Sequence, residues 1–208
     1  MGKDEKFEKI REGLYQELIK ANMHFKIFWA VYAAPKDIAN IRNVYLTFFV
    51  LTTRSHNDPF CIAVHNTVKP DKNPANFAKL FNYIISNENL HNIFNLKEID
   101  QMEATIQSHK DIIDRIKIIR DQYVAHNQLE PKHLKRKITY TYEEGVKLLG
   151  DLNNILQKLS RKYDHGGYWR DKNDLLDVSP SLNVEDMLRY LTDYRNAQTK
   201  KRRQGVPN

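Results

Sequence analysis

LKEIDQMEATIQSHKDIIDRIKIIRDQYVAH, residues 96–126, is the stretch on which the fold reading turns. Its apolar residues Ile99, Met102, Ile106, Ile113, Ile116, Ile119 and Tyr123 fall mostly at steps of three and four, with polar and charged residues between them. That is the period of one buried face of an α-helix, where about 3.6 residues make a turn. A strand would alternate every second residue, and this stretch does not. One amphipathic helix is expected from about Leu96 to His126. It stops at Asn127-Gln128-Leu129-Glu130-Pro131, because proline disfavours helical geometry in the residue before it.

The same period recurs on both sides. Phe7, Ile10, Leu14, Leu18, Phe25, Phe28 and Trp29 mark an N-terminal helix that ends near Ala33-Ala34-Pro35. A second helix is expected from Asp37, carrying Ile38, Ile41, Val44, Tyr45, Phe48 and Phe49. Its second half is apolar on most faces, which suits the central helix of a core. Arg54 to Pro74, with Asn57-Asp58-Pro59, Lys69-Pro70 and Asn73-Pro74, reads as a connector holding a short helix at Cys61 to Asn66. Another short helix is expected over Asn76 to Ile85, then a polar turn region over Asn87 to Asn95. Thr141-Tyr142-Glu143-Glu144 has the spacing of a capping box, with Thr141 at the N-cap and Glu144 three residues on. The helix behind it carries Val146, Leu148, Leu149, Leu152, Ile155, Leu156 and Leu159 and ends at Asp164-His165-Gly166-Gly167. After a loop with Trp169 and Pro180, Asn183 is placed to cap a last helix carrying Val184, Met187, Leu188 and Leu191. The expected fold is all-α, an up-and-down bundle of four to five main helices with an additional C-terminal helix. Residues 1–199 read as a single domain and residues 200–208 as a basic, disordered tail.

Composition narrows the function classes. The chain has 208 residues, of which 41% are hydrophobic and 28% charged, with 7 Gly and 7 Pro; that excludes a wholly disordered or collagen-like chain. Cys61 stands alone, so no intramolecular disulfide forms, which suits a reducing cytoplasm. The longest uncharged apolar run, Val44 to Thr53, is about half of the roughly 20 residues a membrane-spanning helix needs, so no membrane association is expected. The net charge of +7 points to a polyanionic partner. Two acid-free segments, Lys132-His133-Leu134-Lys135-Arg136-Lys137 and Arg195 to Asn208, hold more than the whole surplus and leave the rest slightly acidic.

The chain has no glycine-rich phosphate loop, no His-Glu-x-x-His and no Cys-x-x-Cys. Cys61 and His65 have metal-ligand spacing but no further ligands nearby, and they read as a buried thiol beside a core histidine. No metal or cofactor is expected. His165-Gly166-Gly167-Tyr168-Trp169 combines ordinary helix-ending glycines with an aromatic pair suited to packing on the bundle.

The richest segment for chemistry closes the first helix quoted. Arg120-Asp121-Gln122-Tyr123-Val124-Ala125-His126-Asn127 resembles the signature of the HEPN superfamily, an arginine followed a few residues later by a histidine. The polar residue directly after the arginine and the Ala-His-Asn ending are similar too. Leu51-Thr52-Thr53-Arg54 through Asp58, and Asn76 to Ile84, resemble the corresponding parts of its abortive-infection, AbiU-like branch. The resemblance implies a metal-independent RNase that works as a homodimer, the motif helices of two protomers forming one composite cleft. Arg120 would hold the scissile phosphate, for which a planar guanidinium suits the oxygens. His126 would act as base on the ribose 2′-OH or as acid to the leaving 5′-oxygen, giving a 2′,3′-cyclic phosphate. Asp121 and Asn127 would support them, and Lys132, Lys135, Arg136 and Lys137 would meet RNA phosphates. The setting implied is phage defence or a toxin–antitoxin pair, with an antitoxin or another protein as a further partner.

Helix geometry bears on this reading. Six residues at about 100° each put Arg120 and His126 about 120° apart, so one regular helix presents them poorly to one phosphate. A loosened last turn, or a second copy of the helix, removes that difficulty. Two alternatives stand beside the nuclease. A histidine and an arginine at a helix C-terminus are favoured by the macrodipole alone, as in a catalytically inactive HEPN-like module that binds protein or nucleic acid. A regulator driven by the basic segments lacks a recognisable recognition helix.

Overall fold

Asp4 starts the first helix. Its Oδ1 accepts from the backbone N–H groups of Lys6 and Phe7 at 3.1 and 3.0 Å, and Glu5 and Glu8 place negative charge in the first turn. The helix, α1 (Glu5–Tyr32), buries Phe7, Ile10, Leu14, Leu18, Ala21, Phe25 and Phe28 in one stripe at helical spacing. The computed structural model describes residues 4–32, 46–69, 73–121, 140–164 and 184–203. Among these residues there are seven further helices and no strand. They are α2 (Leu46–Val68), α3 (Phe77–Ser86), α4 (Glu88–His91), α5 (Leu96–Ser108), α6 (Lys110–Ile119), α7 (Tyr142–Tyr163) and α8 (Val184–Arg203).

Cross-helix pairs give the directions. Asn66 donates to Glu17 and His24 meets His56, so α2 runs antiparallel to α1. Arg11 meets Asp164, Asn22 pairs with Asn153 and Phe25 stacks on Tyr142, so α7 is antiparallel to α1 as well. Lys162 pairs with Glu98 and His109 with Asp151, so α5 is antiparallel to α7. The elements α1, α2, α5 and α7 therefore run up, down, up, down, the expected all-α bundle. The short helix α3 packs on α1, and α4 follows it through Asn87, which ends one helix and caps the next.

Several expectations change in detail, among them the polar turn region over Asn87 to Asn95, which holds the one-turn helix α4. The connector over Arg54 to Pro74 is helix as far as Val68, straight through Pro59. An interior proline costs about 3 kcal/mol. Just beyond it Phe60, Cys61 and Val64 are fully buried. Each large apolar side chain so buried contributes about 1.5–3 kcal/mol, which offsets the proline. The central helix is α1 rather than the apolar stretch at Phe48 and Phe49. Phe49 is buried, but Phe48 and Leu51 are 58% and 60% exposed, because only one face of that part of α2 meets the bundle. The helix expected to run unbroken from Leu96 is divided at His109.

That division has a local cause. The apolar stripe skips from Ile106 to Ile113, and His109 sits in the gap. It is buried, with its Nε2 2.7 Å from Asp151 Oδ2 on α7, and its backbone N–H bonds to Ile106 and Gln107. A polar ring buried at that position is stable only with a partner, and turning the chain there lets α6 present a new apolar face. The capping box is present as expected: Thr141 Oγ1 accepts from Glu144 N at 3.2 Å and Thr141 N donates to Glu144 Oε2 at 2.7 Å. Asn76 caps α3 by the simpler one-way bond, its Oδ1 accepting from Lys79 N at 2.9 Å. At the C-terminus α8 carries the chain to Arg203, so the tail read from residue 200 begins as helix. The second helix's expected start at Asp37 and the cap at Asn183 lie outside the described residues.

Candidate functional site

The site read from the sequence is positioned by α6. Ile112, Ile113, Ile116 and Ile119 are buried, while Ile118 is half exposed, so one face of the helix stays in solvent. Arg115 ties the helix to the first turn of α7 through both guanidinium ends, Nη1 at 3.2 Å and Nη2 at 2.6 Å from the Glu144 carboxylate. At Arg120 the regular winding stops. Its N–H is shared between the carbonyls of Ile116 and Lys117, and residues 120–121 form a π-type turn. Such widened turns are frequent at functional sites.

Arg120 and Asp121 are brought together. Arg120 Nε donates to Asp121 Oδ1 at 2.8 Å, and Nη2 donates to the same oxygen. From one turn back, Lys117 Nζ lies 3.0 Å from Asp121 Oδ2. Desolvation by burial pushes the Asp121 carboxyl up, but the hydrogen bonds from Lys117 and Arg120 outweigh it and hold it below the ordinary carboxylate range. Asp121 is therefore an anion at neutral pH on which two cations converge. The Arg120 side chain is 26% exposed, and its Nη1 is not part of the pairing with Asp121. A guanidinium whose plane is set by a neighbour, and which still reaches solvent, is suited to a phosphate oxygen. Sequence reasoning named Asp121 and missed Lys117, although their spacing of four residues on a helix was the signal for it.

His126 and Asn127, with Lys132, Lys135, Arg136 and Lys137, lie outside the described residues, as does His165 to Trp169. The chain is described again from Tyr140, which is 4% exposed. Its hydroxyl donates to Asn57 Oδ1 on α2 at 2.6 Å, and its ring lies against Phe60 and Trp29. Burial, helped by the neighbouring Cys61 and Asp58, pushes the phenol well above its ordinary value, so it stays a hydrogen-bond donor. Residues 122–139 thus leave from a helix packed in the core and return to a buried, hydrogen-bonded tyrosine. Neither Tyr140 nor Asn57 was legible as an anchor, because they are 83 residues apart in the chain.

Two further features bear on the chemistry. Among the described residues no three His, Cys, Asp or Glu side chains are grouped to hold a metal ion; Cys61 and His65 are both buried on α2. An open groove of about 560 Å³ between α5 and α7, lined by Glu98, Met102, Asp151, Lys158 and Arg161 among others, includes none of the candidate residues. No helix among the described residues is long and apolar enough to cross a membrane.

Compared with known families, the chain matches the HEPN family described as AbiU2 over residues 4–187. That match spans α1 to the first turn of α8 and includes the whole Arg120–Asn127 segment. No curated protein and no solved structure matches the chain.

Proposed function

The chain belongs to the AbiU2 family of HEPN domains, and from that premise we propose that it is a metal-independent endoribonuclease of a phage-defence or toxin–antitoxin type. The observation that supports this best is the state of Arg120. It ends the motif helix on a π-type turn, part exposed, with its guanidinium oriented by Asp121. In the proposed reaction Arg120 binds the non-bridging oxygens of the scissile phosphodiester. His126 takes the proton of the ribose 2′-OH, whose oxygen attacks the phosphorus, and the imidazolium so formed returns that proton to the departing 5′-oxygen. The product is a 2′,3′-cyclic phosphate, and no step calls for a metal ion. The cleft is composite, assembled by the motif segments of two protomers, as membership of the HEPN family suggests.

The test is cleavage of single-stranded RNA in EDTA, with the new ends identified by mass. Wild type yields cyclic phosphates and is a dimer by light scattering. Arg120→Ala and His126→Ala each abolish cleavage while the helical circular dichroism is unchanged. Cleavage that persists in both variants removes these residues from the site.

One observation favours a second reading, a catalytically inactive module that binds protein or nucleic acid. Asp121 already engages two of the Arg120 nitrogens, as in a purely structural ion pair. Under that reading the purified wild type gives no cyclic phosphate, whatever its oligomeric state.

A further inference from the structure

The helix α8 differs from the other long helices in what it leaves outside. It touches α1, and Thr192 and Arg195 are the half-buried positions among its described side chains. Two residues further round in either direction, at about 200° from Thr192, stand Tyr190 and Tyr194. They are 72% and 58% exposed, and Tyr190 is the most exposed large hydrophobic side chain described. Being four residues apart they lie one above the other along the solvent face, roughly 5–6 Å apart at their Cβ atoms. Arg189 and Lys200, both exposed, flank this stripe, with Asp193 between them. From Arg195 to Arg203 the helix sequence carries five cations and no acid. The helix macrodipole accounts for cations in a last turn, but not for two tyrosines turned away from the bundle.

We propose that α8 is a docking arm for single-stranded RNA. Tyr190 and Tyr194 stack on successive unpaired bases, and the exposed Arg189 and Lys200 meet the backbone phosphates. Sequence-tolerant binding of single strands combines these two elements, since every base has a π-face and every linkage a charge. A helix lying in a membrane surface sinks a face of leucine, phenylalanine and tryptophan, whereas this face is two tyrosines with Arg189, Asp193 and Lys200 beside them. The spacing of one helical turn fits bases drawn apart from helical stacking rather than a paired duplex. The arm rests on the reading of RNA as the ligand of this chain, and it extends that reading to a surface outside the Arg120–Asn127 segment.

The test is fluorescence anisotropy of the full chain carrying Arg120→Ala, so that the probe survives. The probes are a labelled single-stranded RNA of about 20 nucleotides, long enough for one such site, and the same strand in a duplex. Tyr190→Ala with Tyr194→Ala weakens single-strand binding at least tenfold and changes duplex binding little, whereas the double Phe variant retains affinity. Asp193→Asn tightens binding to both probes. Single-strand affinity unchanged in the double Ala variant overturns the proposal. So does binding of the wild type to anionic phospholipid vesicles that is lost with the tyrosines, or a change of oligomeric state in that variant, which would make the face a membrane or protein contact. Tyrosine-dependent RNA binding with no cleavage by wild type leaves the arm standing and removes the nuclease reading.

Discussion

His24 and His56 meet across α1 and α2 with their Nδ1 atoms 2.8 Å apart, so one ring donates the hydrogen bond and the other accepts it. The accepting ring must be unprotonated at Nδ1 for that, so the contact is lost once both rings are charged. Burial lowers the His24 pKa, with the nearby His56 and Lys20 adding to it, and burial lowers that of His56. The folded chain therefore takes up these protons at lower pH than the unfolded chain does, whose histidines titrate near 6.5. Stability from the pair is present above that value and is lost as pH falls through the folded pKa. The melting temperature is expected to fall between about pH 7 and pH 5, a window above the titration of the carboxylates. His56→Gln, which keeps a hydrogen bond but does not titrate, flattens that fall. A pH profile identical to wild type in this variant would assign the effect to other groups.

Two glycines of α7 separate close packing from helix propensity. A Cβ on Gly145 would lie 2.2 Å from the buried Phe25 ring, which is held by Phe60, Trp29 and Tyr142; a Cβ on Gly150 would meet nothing within 4 Å. Alanine is favoured over glycine in a helix by roughly 1 kcal/mol, while overpacking a core contact costs about 1–3 kcal/mol. Gly150→Ala is thus expected to raise stability by up to about 1 kcal/mol and Gly145→Ala to lower it, both read from urea unfolding midpoints. Equal effects of the two would place Gly145 out of contact with Phe25. The same contrast explains what the sequence could and could not tell about the elements. Thr141 and Glu144 are three residues apart, and Asn76 caps a neighbour, so these helix starts were readable locally. His109 stops a helix only because Asp151 waits on α7, and Pro59 is tolerated only because Phe60 and Val64 find a core. The skip in the apolar stripe and the proline are both visible in the sequence, but neither shows what lies across from it in the fold. At the site, Arg120 and Asp121 were legible as neighbours, whereas Tyr140 and Asn57 needed the fold to bring them together.

At the scale of the molecule the decisive property is where charge is concentrated. The segment between α6 and α7 and the end of α8 carry more than the entire +7 surplus, so the remaining body is slightly acidic and offers a polyanion no net attraction. Binding of RNA is accordingly expected to weaken steeply with salt. For single strands the logarithmic slope is about −0.7 per phosphate contact, so replacing Lys135, Arg136 and Lys137 by glutamine should flatten it by up to about 2. A slope unchanged by that triple substitution would take the segment out of the binding surface.

The aromatic box around Trp29 has an optical consequence. The chain holds two tryptophans, Trp29 and Trp169. Trp29 lies against Phe25, Phe28, Tyr32, Tyr142 and Tyr140, the last being the residue at which the basic segment rejoins the bundle. With Trp169 replaced by phenylalanine, the remaining indole becomes a built-in lamp at that junction. Its emission would register a ligand drawing on the segment between α6 and α7 in real time, with no label attached near the residues under study.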